Sequence, residues 1–214
     1  MAGRFTVVLP VKELAVAKSR LGPPGPARTA LALAMARDVA TAAAACDAVG
    51  GVLVVTDDPV AAERVPHDWV EPDVPRAGLS AAVAYGAAAA TARRPHDGIV
   101  VLSSDLPALE PLALQAVLEA LPGGRGVVAD WSGVGTAVLA VAAGTPLTPA
   151  YEGGSFAKHL LDGTHDLTAL AGEGMRRDVD TVADLAAVIA IGVGPATAQA
   201  VMDHREGWRA AGLA

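Results

Sequence analysis

The 214-residue chain has little of several things, and each shortage excludes something. It has one cysteine, Cys46, so no internal disulfide can form and nothing calls for an oxidising compartment. Cys46 lies in an alanine-rich stretch and is expected to pack as a small apolar side chain. Aromatic residues make up only 3%, which leaves few stacking platforms for nucleic acid. Positive charge is scarce: 16 Lys and Arg stand against 23 Asp and Glu, a net charge of -7, so the surface has no general pull on a phosphate backbone. An anionic ligand would need a local basic pocket or a metal ion. Long uncharged apolar runs are missing too. The first, Phe5 to Val11, is cut off by Lys12 and Glu13, too short for a signal-peptide core or a membrane span. The expected location is therefore cytoplasmic, with no membrane and no nucleic acid as partner. There is no G-x-S-x-G, no H-E-x-x-H and no cysteine cluster. The five histidines are scattered, and none stands out as an acid–base group.

What is present points to a packed α/β protein. The apolar fraction is 52% and the charged fraction 18%, as expected of a globular chain, and much of the apolar content is alanine. The length fits one domain over residues 1–214. Strand-like runs at Phe5–Val11, Gly51–Val55, Trp69–Val70, Gly98–Leu102, Gly126–Asp130 and Ala137–Ala142 alternate with helix-like runs. The helices fall at Ala27–Cys46, Ala61–Arg64, Leu79–Ala92, Pro111–Leu121, Phe156–Leu161 and Thr181–Ile191, and another starts in Pro195–Asp203. The stretch Gly22–Pro26 reads as the loop before the first helix. Short strands alternating with longer helices predict a mostly parallel sheet in a three-layer α/β/α domain.

In such folds ligands sit beyond the carboxyl ends of the strands. The run "VVLSSDLPAL", Val100 to Leu109, ends its strand on Ser103, Ser104 and Asp105. Asp105 there is either a turn or cap residue, or the start of a metal site. In "RRDVDTVADL", Asp178 and Asp180 share one face if the segment is extended, while Thr181 and Asp184 have the spacing of a helix cap. A second carboxylate such as Asp180 is what Asp105 would need to hold Mg²⁺. The run "LPVKELAVAKSRL" gathers Lys12, Lys18 and Arg20 within nine residues, enough charge to neutralise a triphosphate, though a solvated loop would look the same. No glycine-rich cradle precedes them, so this is not a Walker A loop. In "DWSGVGTAVL", Gly133 and Gly135 precede the Thr136 hydroxyl, either as a plain hairpin or as an approach to an anion. In "YEGGSFAKHL", Gly153, Gly154 and Ser155 lead into a helix, with Ser155 as cap or anion donor or both. Ser80, in "RAGLSAAVAYG", caps a helix, touches a nucleotide base, or does both.

The stretches "PVKELAVAKSRL", "GLSAAV", "VVLSSDLPAL", "GTAVL", "GGSFAKHL" and "RRDVDTVADL" follow one another in an order that resembles the phospholactate/phosphoenolpyruvate guanylyltransferases of coenzyme F-420 biosynthesis. The ending "IGVGPATAQAVM" is similar to the actinobacterial branch, whose acceptor is phosphoenolpyruvate. Each motif is modest, and their joint order over nearly the whole chain is what is specific. The resemblance implies a nucleotidyltransferase fold of the glycosyltransferase-A type, GTP and phosphoenolpyruvate as substrates, Mg²⁺ as cofactor, and a product handed to a downstream transferase. Carried over by position, it implies Asp105 and Asp180 as metal ligands and catalytic residues. Lys12, Lys18, Arg20, Ser80 and Ser104 would bind the nucleotide. Thr136, Glu152, Gly153 and Ser155 would bind the acceptor. The family's F-G-x-x-S reads Tyr151-Glu152-Gly153-Gly154-Ser155 here, so an acidic side chain stands in for a glycine; the role survives if that position acts through its backbone N–H or if Gly153 takes it over, and the carboxylate is unfavourable beside an anionic acceptor unless it points away.

Overall fold

The computed structural model describes residues 4–22, 25–74, 76–121 and 124–213. Pro23 and Pro24, inside the expected Gly22–Pro26 loop, lie outside them. One seven-stranded sheet organises the chain. Its strands are β1 (Phe5–Pro10), β2 (Val49–Val55), β3 (Trp69–Glu71), β4 (Gly98–Leu102), β5 (Arg125–Ala129), β6 (Thr136–Val141) and β7 (His165–Asp166), in the order β3-β2-β1-β4-β6-β5-β7. Four of the six pairings are parallel, and β6 runs antiparallel to both β4 and β5. The mostly parallel sheet read from the sequence is what forms. The reversal at β6 brings its first residue, Thr136, beside the carboxyl end of β4.

The central strands are apolar at nearly every position because both faces of the sheet are covered. Val7 and Leu9 face one side with Val54, Val100 and Leu102; Val8 faces the other with Leu53, Val55 and Val101, following the period of two. The first side is covered by α1 (Pro26–Ala44) and α4 (Pro111–Glu119), the second by α3 (Leu79–Arg93). The alanine content has a packing reason. A Cβ on Gly86 of α3 would come within 2.6 Å of Val55 Cγ2 and 2.9 Å of Val8 Cγ1, so only small residues let this helix lie so close to the sheet. Cys46 is buried as expected, and its thiol lies 3.1 Å from Gln115 Oε1.

The remaining helices are α2 (Pro59–Arg64), α5 (Ser155–Leu161), α6 (Glu173–Arg176), α7 (Val182–Ile191), α8 (Pro195–Asp203) and α9 (Arg205–Ala210). A third apolar cluster joins Leu31 and Met35 of α1 to Val179, Leu185, Val188 and Trp208. The buried Asp38 carboxylate, on α1, accepts Ala196 N (3.0 Å) and Thr197 N (2.7 Å) at the start of α8. Gly194 has room for no Cβ, which would meet Asp38 Cγ at 2.3 Å. This docking holds the C-terminal third against α1 and so fixes where Asp178 and Asp180 stand. β7, α6 and α9 were not legible in sequence: two and four residues are too short to show a period, and α9 follows α8 after a single residue, His204.

Candidate active site

The carboxyl ends of β1, β2 and β4 open on a cavity of about 800 Å³. Of the residues singled out in sequence, Lys12, Lys18, Arg20, Ser104, Asp105 and Asp180 line it. Ser80, Thr136, Glu152, Gly153 and Ser155 do not, and form a second group beside it.

Two acidic segments far apart in sequence meet at one end of the cavity. Val179 N donates to Asp105 O (3.2 Å), which lays Asp178-Val179-Asp180 alongside the end of β4. Val179 is fully buried, so the extended alternation turns Asp178 and Asp180 the other way, toward Asp105. Oxygens of Asp105, Asp178 and Asp180 lie within 4.8 Å of one another, a group able to hold a metal ion. An all-oxygen donor set suits a hard divalent cation such as Mg²⁺. Thr181 and Asp184 also form the capping box read from the sequence, at the start of α7, and Asp184 Oδ2 accepts Asp180 N (3.2 Å). The cap and the carboxylate group therefore coexist.

Lys18 reaches into this acidic end. Its ammonium donates to Asp105 and to Asp180 Oδ1 (3.0 Å), and Arg20 Nη1 lies 3.4 Å from Asp180 Oδ2. Burial alone would lower the Lys18 pKa, but Asp105 and then Asp180 outweigh it and push it up to about 12. The Asp178 carboxyl is pushed up to about 6, first by burial and next by the Asp105 charge, with Asp180 and Asp130 adding to it. Three carboxylates in one place thus carry a strain that a cation relieves. The loop bearing the lysines is held from behind: the buried Arg28 donates to Ala15 O (2.7 Å) and Gly22 O (3.0 Å), and Asp58 Oδ2 accepts Leu14 N (2.9 Å). Lys18 itself adopts a left-handed backbone (φ 57, ψ 40), a conformation that costs a side-chain-bearing residue about 1 kcal/mol or more.

On the β2 side, Asp57 and Asp73 line the cavity. Arg76 ties them together: its Nε donates to Asp57 Oδ2 (2.8 Å) and its backbone N to Asp73 Oδ1 (3.2 Å).

The second group centres on Thr136. Its hydroxyl lies 3.0 Å from Ser155 Oγ and 3.0 Å from His159 Nδ1, and all three residues are buried. Ala150 N donates to His159 Nε2 (2.9 Å), and burial holds the His159 pKa below its ordinary value. Neither serine is the helix cap that sequence allowed. Gly154, in a left-handed conformation, is the N-cap of α5, and Ser155 is its first helical residue. Gly78 is the N-cap of α3, and Ser80 is the second residue of the helix, within its first turn. The Ser80 hydroxyl is engaged instead by Glu152, whose carboxylate also accepts Ser80 N (3.0 Å), and by Tyr151 N (2.8 Å). The Glu152 carboxylate is turned to the start of α3, and the Ser80 hydrogen bonds hold its carboxyl below the usual range.

Four residues now stand in the site group that the sequence did not single out as ligands or binders: Asp57, Asp73, Asp178 and His159. Asp57 carried a signal, as a carboxylate just past the end of β2. Asp178 carried a signal, its alternation with Asp180. His159 carried one too: it lies four residues after Ser155, on the same helix face. Asp73 carried none, because only the fold brings it to the cavity.

A parallel-sheet fold with a carboxylate trio and a cationic loop at its strand ends defines a nucleotidyltransferase-type protein. Residues 5–200 match the family described as "Guanylyl transferase CofC like", and the chain belongs to that family. It is 48% identical over 198 residues to a phosphoenolpyruvate guanylyltransferase of Thermomonospora curvata, covering 91% of this chain and 87% of that one. It is 44% identical over 200 residues to the enzyme of the same name from Streptomyces coelicolor, covering 91% and 94%. Among solved structures, it superposes with TM-score 0.72 at 14% identity on a Desulfovibrio desulfuricans protein assigned as a nucleotide-diphospho-sugar transferase, over 97% of both chains, which shows the fold.

Proposed function

We propose that this chain transfers GMP from GTP to phosphoenolpyruvate, giving enolpyruvoyl-2-diphospho-5'-guanosine and pyrophosphate in coenzyme F-420 biosynthesis. The observation that carries the reading is the cavity with its opposed charges: the Asp105–Asp178–Asp180 group and the Lys12–Lys18–Arg20 loop at one end. The names of the relatives at 44–48% identity support guanylyl as the group and phosphoenolpyruvate as its acceptor.

A phosphate oxygen of the acceptor attacks the α-phosphorus of GTP in line. The bond from that phosphorus to the bridging oxygen breaks, and pyrophosphate leaves with the electron pair. The nucleophile is already an anion at neutral pH, so no general base is required, in keeping with a site whose neighbouring His159 is buried and favours the neutral ring. The work of the site is to gather anions. Lys12, Lys18 and Arg20 neutralise the triphosphate and the departing pyrophosphate. Asp105, Asp178 and Asp180 are the residues that would hold Mg²⁺, which when bound screens the charge of the phosphates. Ser104 lies beside Asp105 on the phosphate side. Asp57 and Asp73, which line the cavity on the β2 side, would accept the guanine N1–H and N2 amino protons. Ser80, through Glu152 and Tyr151, fixes the wall between nucleotide and acceptor. Thr136, Gly153, Ser155 and nearby N–H groups receive the acceptor. The single domain over residues 1–214, the cytoplasmic location and the onward transfer of the product to a second transferase belong to the same reading.

Pyrophosphate release by purified protein with Mg²⁺ tests it. Phosphoenolpyruvate, 2-phospho-L-lactate and 3-phosphoglycerate are offered separately with GTP, and ATP serves as control. Release with GTP and phosphoenolpyruvate is expected. Release with another acceptor alone would correct the substrate. GTP binding without release under any condition would make the protein a nucleotide sensor.

A further inference from the structure

The buried hydroxyl pair next to the cavity has one proton more than its own hydrogen bonds consume. His159 Nε2 faces the Ala150 N–H at 2.9 Å, and an N–H can only donate. Nε2 must therefore be the bare, accepting nitrogen, and the neutral ring carries its proton on Nδ1. Turning the ring over would put carbon atoms opposite both Ala150 N and Thr136 Oγ1, so the two contacts fix its orientation as well as its tautomer. Burial favours the neutral ring.

The consequence is a count of protons. His159 Nδ1–H, Ser155 Oγ–H and Thr136 Oγ1–H share two gaps, each of 3.0 Å, and each gap takes one proton. The His159 proton fills the first and one hydroxyl proton fills the second. The other hydroxyl proton is left to donate, whichever way the Ser155–Thr136 bond runs. With the proton on Nε2 instead, the Thr136 hydroxyl would have to donate to the ring, both gaps would be filled by hydroxyls, and none would remain. A buried donor without an acceptor is costly, so this one is kept for something. It sits beside the end of β4, where Ser103 N donates to Ala137 O, and Ser155 directly follows Gly153 and Gly154, at both of which an added Cβ would meet nothing within 4 Å.

We propose that His159 is a positioning residue which, by holding its proton on Nδ1, frees one hydroxyl proton of the Thr136–Ser155 pair to bind an anionic oxygen of the acceptor substrate. The inference rests on the reading of the protein as a guanylyltransferase with a phosphorylated carboxylic acid as acceptor.

Two measurements test it. Long-range ¹H–¹⁵N spectra of the His159 ring read the tautomer without any turnover; a proton on Nδ1 is expected, and a proton on Nε2 overturns the proposal. Steady-state pyrophosphate release then compares KM for phosphoenolpyruvate with KM for GTP. His159→Phe keeps the bulk and loses the donor, and is expected to raise the acceptor KM about tenfold while the GTP value stays within about twofold. His159→Asn keeps an N–H near the Nδ1 position and should restore most of the affinity, which also guards against loss of folding in the first variant. In a Thr136→Val background His159→Phe should add less than about twofold, because the group it acts through is gone. Equal rises in both KM values, failure of His159→Asn to rescue, or additive effects with Thr136→Val would overturn it. If the unaltered protein turns over no acceptor, the guanylyltransferase reading fails and the acceptor role falls with it, while the tautomer is still read from the spectra.

Discussion

Lys18 Nζ stands 3.0 Å from Asp180 Oδ1 and donates to Asp105 as well, so a lysine from the first loop neutralises carboxylates from two segments far apart in the chain. The side chain is 13% exposed, which makes the contact more than a surface ion pair. In the proposed mechanism the same ammonium serves the phosphates, and Asp105 and Asp180 would be neutralised by a divalent cation when one is bound. Lys18→Met should therefore lower the melting temperature in chelator by about 5 °C or more. Mg²⁺ should raise the melting temperature of this variant more than that of the unaltered protein. Differential scanning calorimetry with chelator and with Mg²⁺ reads both. Equal responses to Mg²⁺ would mean that Lys18 does not stand in for the cation.

Asp178 gives the opposite sign. Its carboxyl titrates near 6 in the fold, chiefly through burial, against about 4 in an unfolded chain. A raised carboxyl favours folding below the unfolded value, and the advantage is lost as pH rises through the folded one. At pH 7 the charged group is a burden. Asp178→Asn should stabilise the metal-free protein at pH 7 by about 1 kcal/mol, after allowance for partial exposure, and by nothing at pH 4. The same change should cost about tenfold or more in turnover. Melting curves at the two pH values and a rate assay check it, and a destabilised variant at pH 7 would contradict it.

His159 has a lowered pKa through burial, with the Lys158 charge adding to that effect and the Asp162 charge opposing it. A depressed histidine contributes stability above its unfolded value of about 6.5, and loses it as pH falls below that value. The unaltered protein should lose more stability between pH 7.5 and 5.5 than His159→Asn does, as measured by urea unfolding. Parallel pH profiles would show that the ring titrates as freely in the fold as outside it.

Glu152 ties the Tyr151–Gly154 loop to the start of α3 through Ser80 N and Oγ. Glu152→Gly removes that tie without touching the core. Amide exchange at Ser80 should quicken about tenfold or more, while the melting temperature stays within about 2 °C. Unchanged exchange at Ser80 would mean that the carboxylate does not hold the two segments together.

The strands and long helices were legible because apolar runs such as that of β4, followed by an abrupt polar end, leave few alternatives. The metal-ligand candidates Asp105 and Asp180 were legible as residues at such ends. Their meeting depends on Val179 N bonding to Asp105 O and on Asp38 holding the start of α8, and neither contact leaves a trace in residue order. The alternation Asp178-Val179-Asp180 did hold the third carboxylate, but Val179 had to be seen buried before both neighbours could be turned to one side. Ser80 was read from a local pattern as a possible cap, whereas a glutamate from a distant loop engages its hydroxyl.

The most direct test of the account is the fate of the α-phosphorus of GTP, followed by ³¹P NMR with phosphoenolpyruvate, Mg²⁺ and the protein. The account predicts pyrophosphate together with a coupled pair of resonances from a new unsymmetrical diphosphate diester. Release of GDP and phosphate, or of GMP with no new diester, would place the chemistry at another bond or on water, and would contradict it.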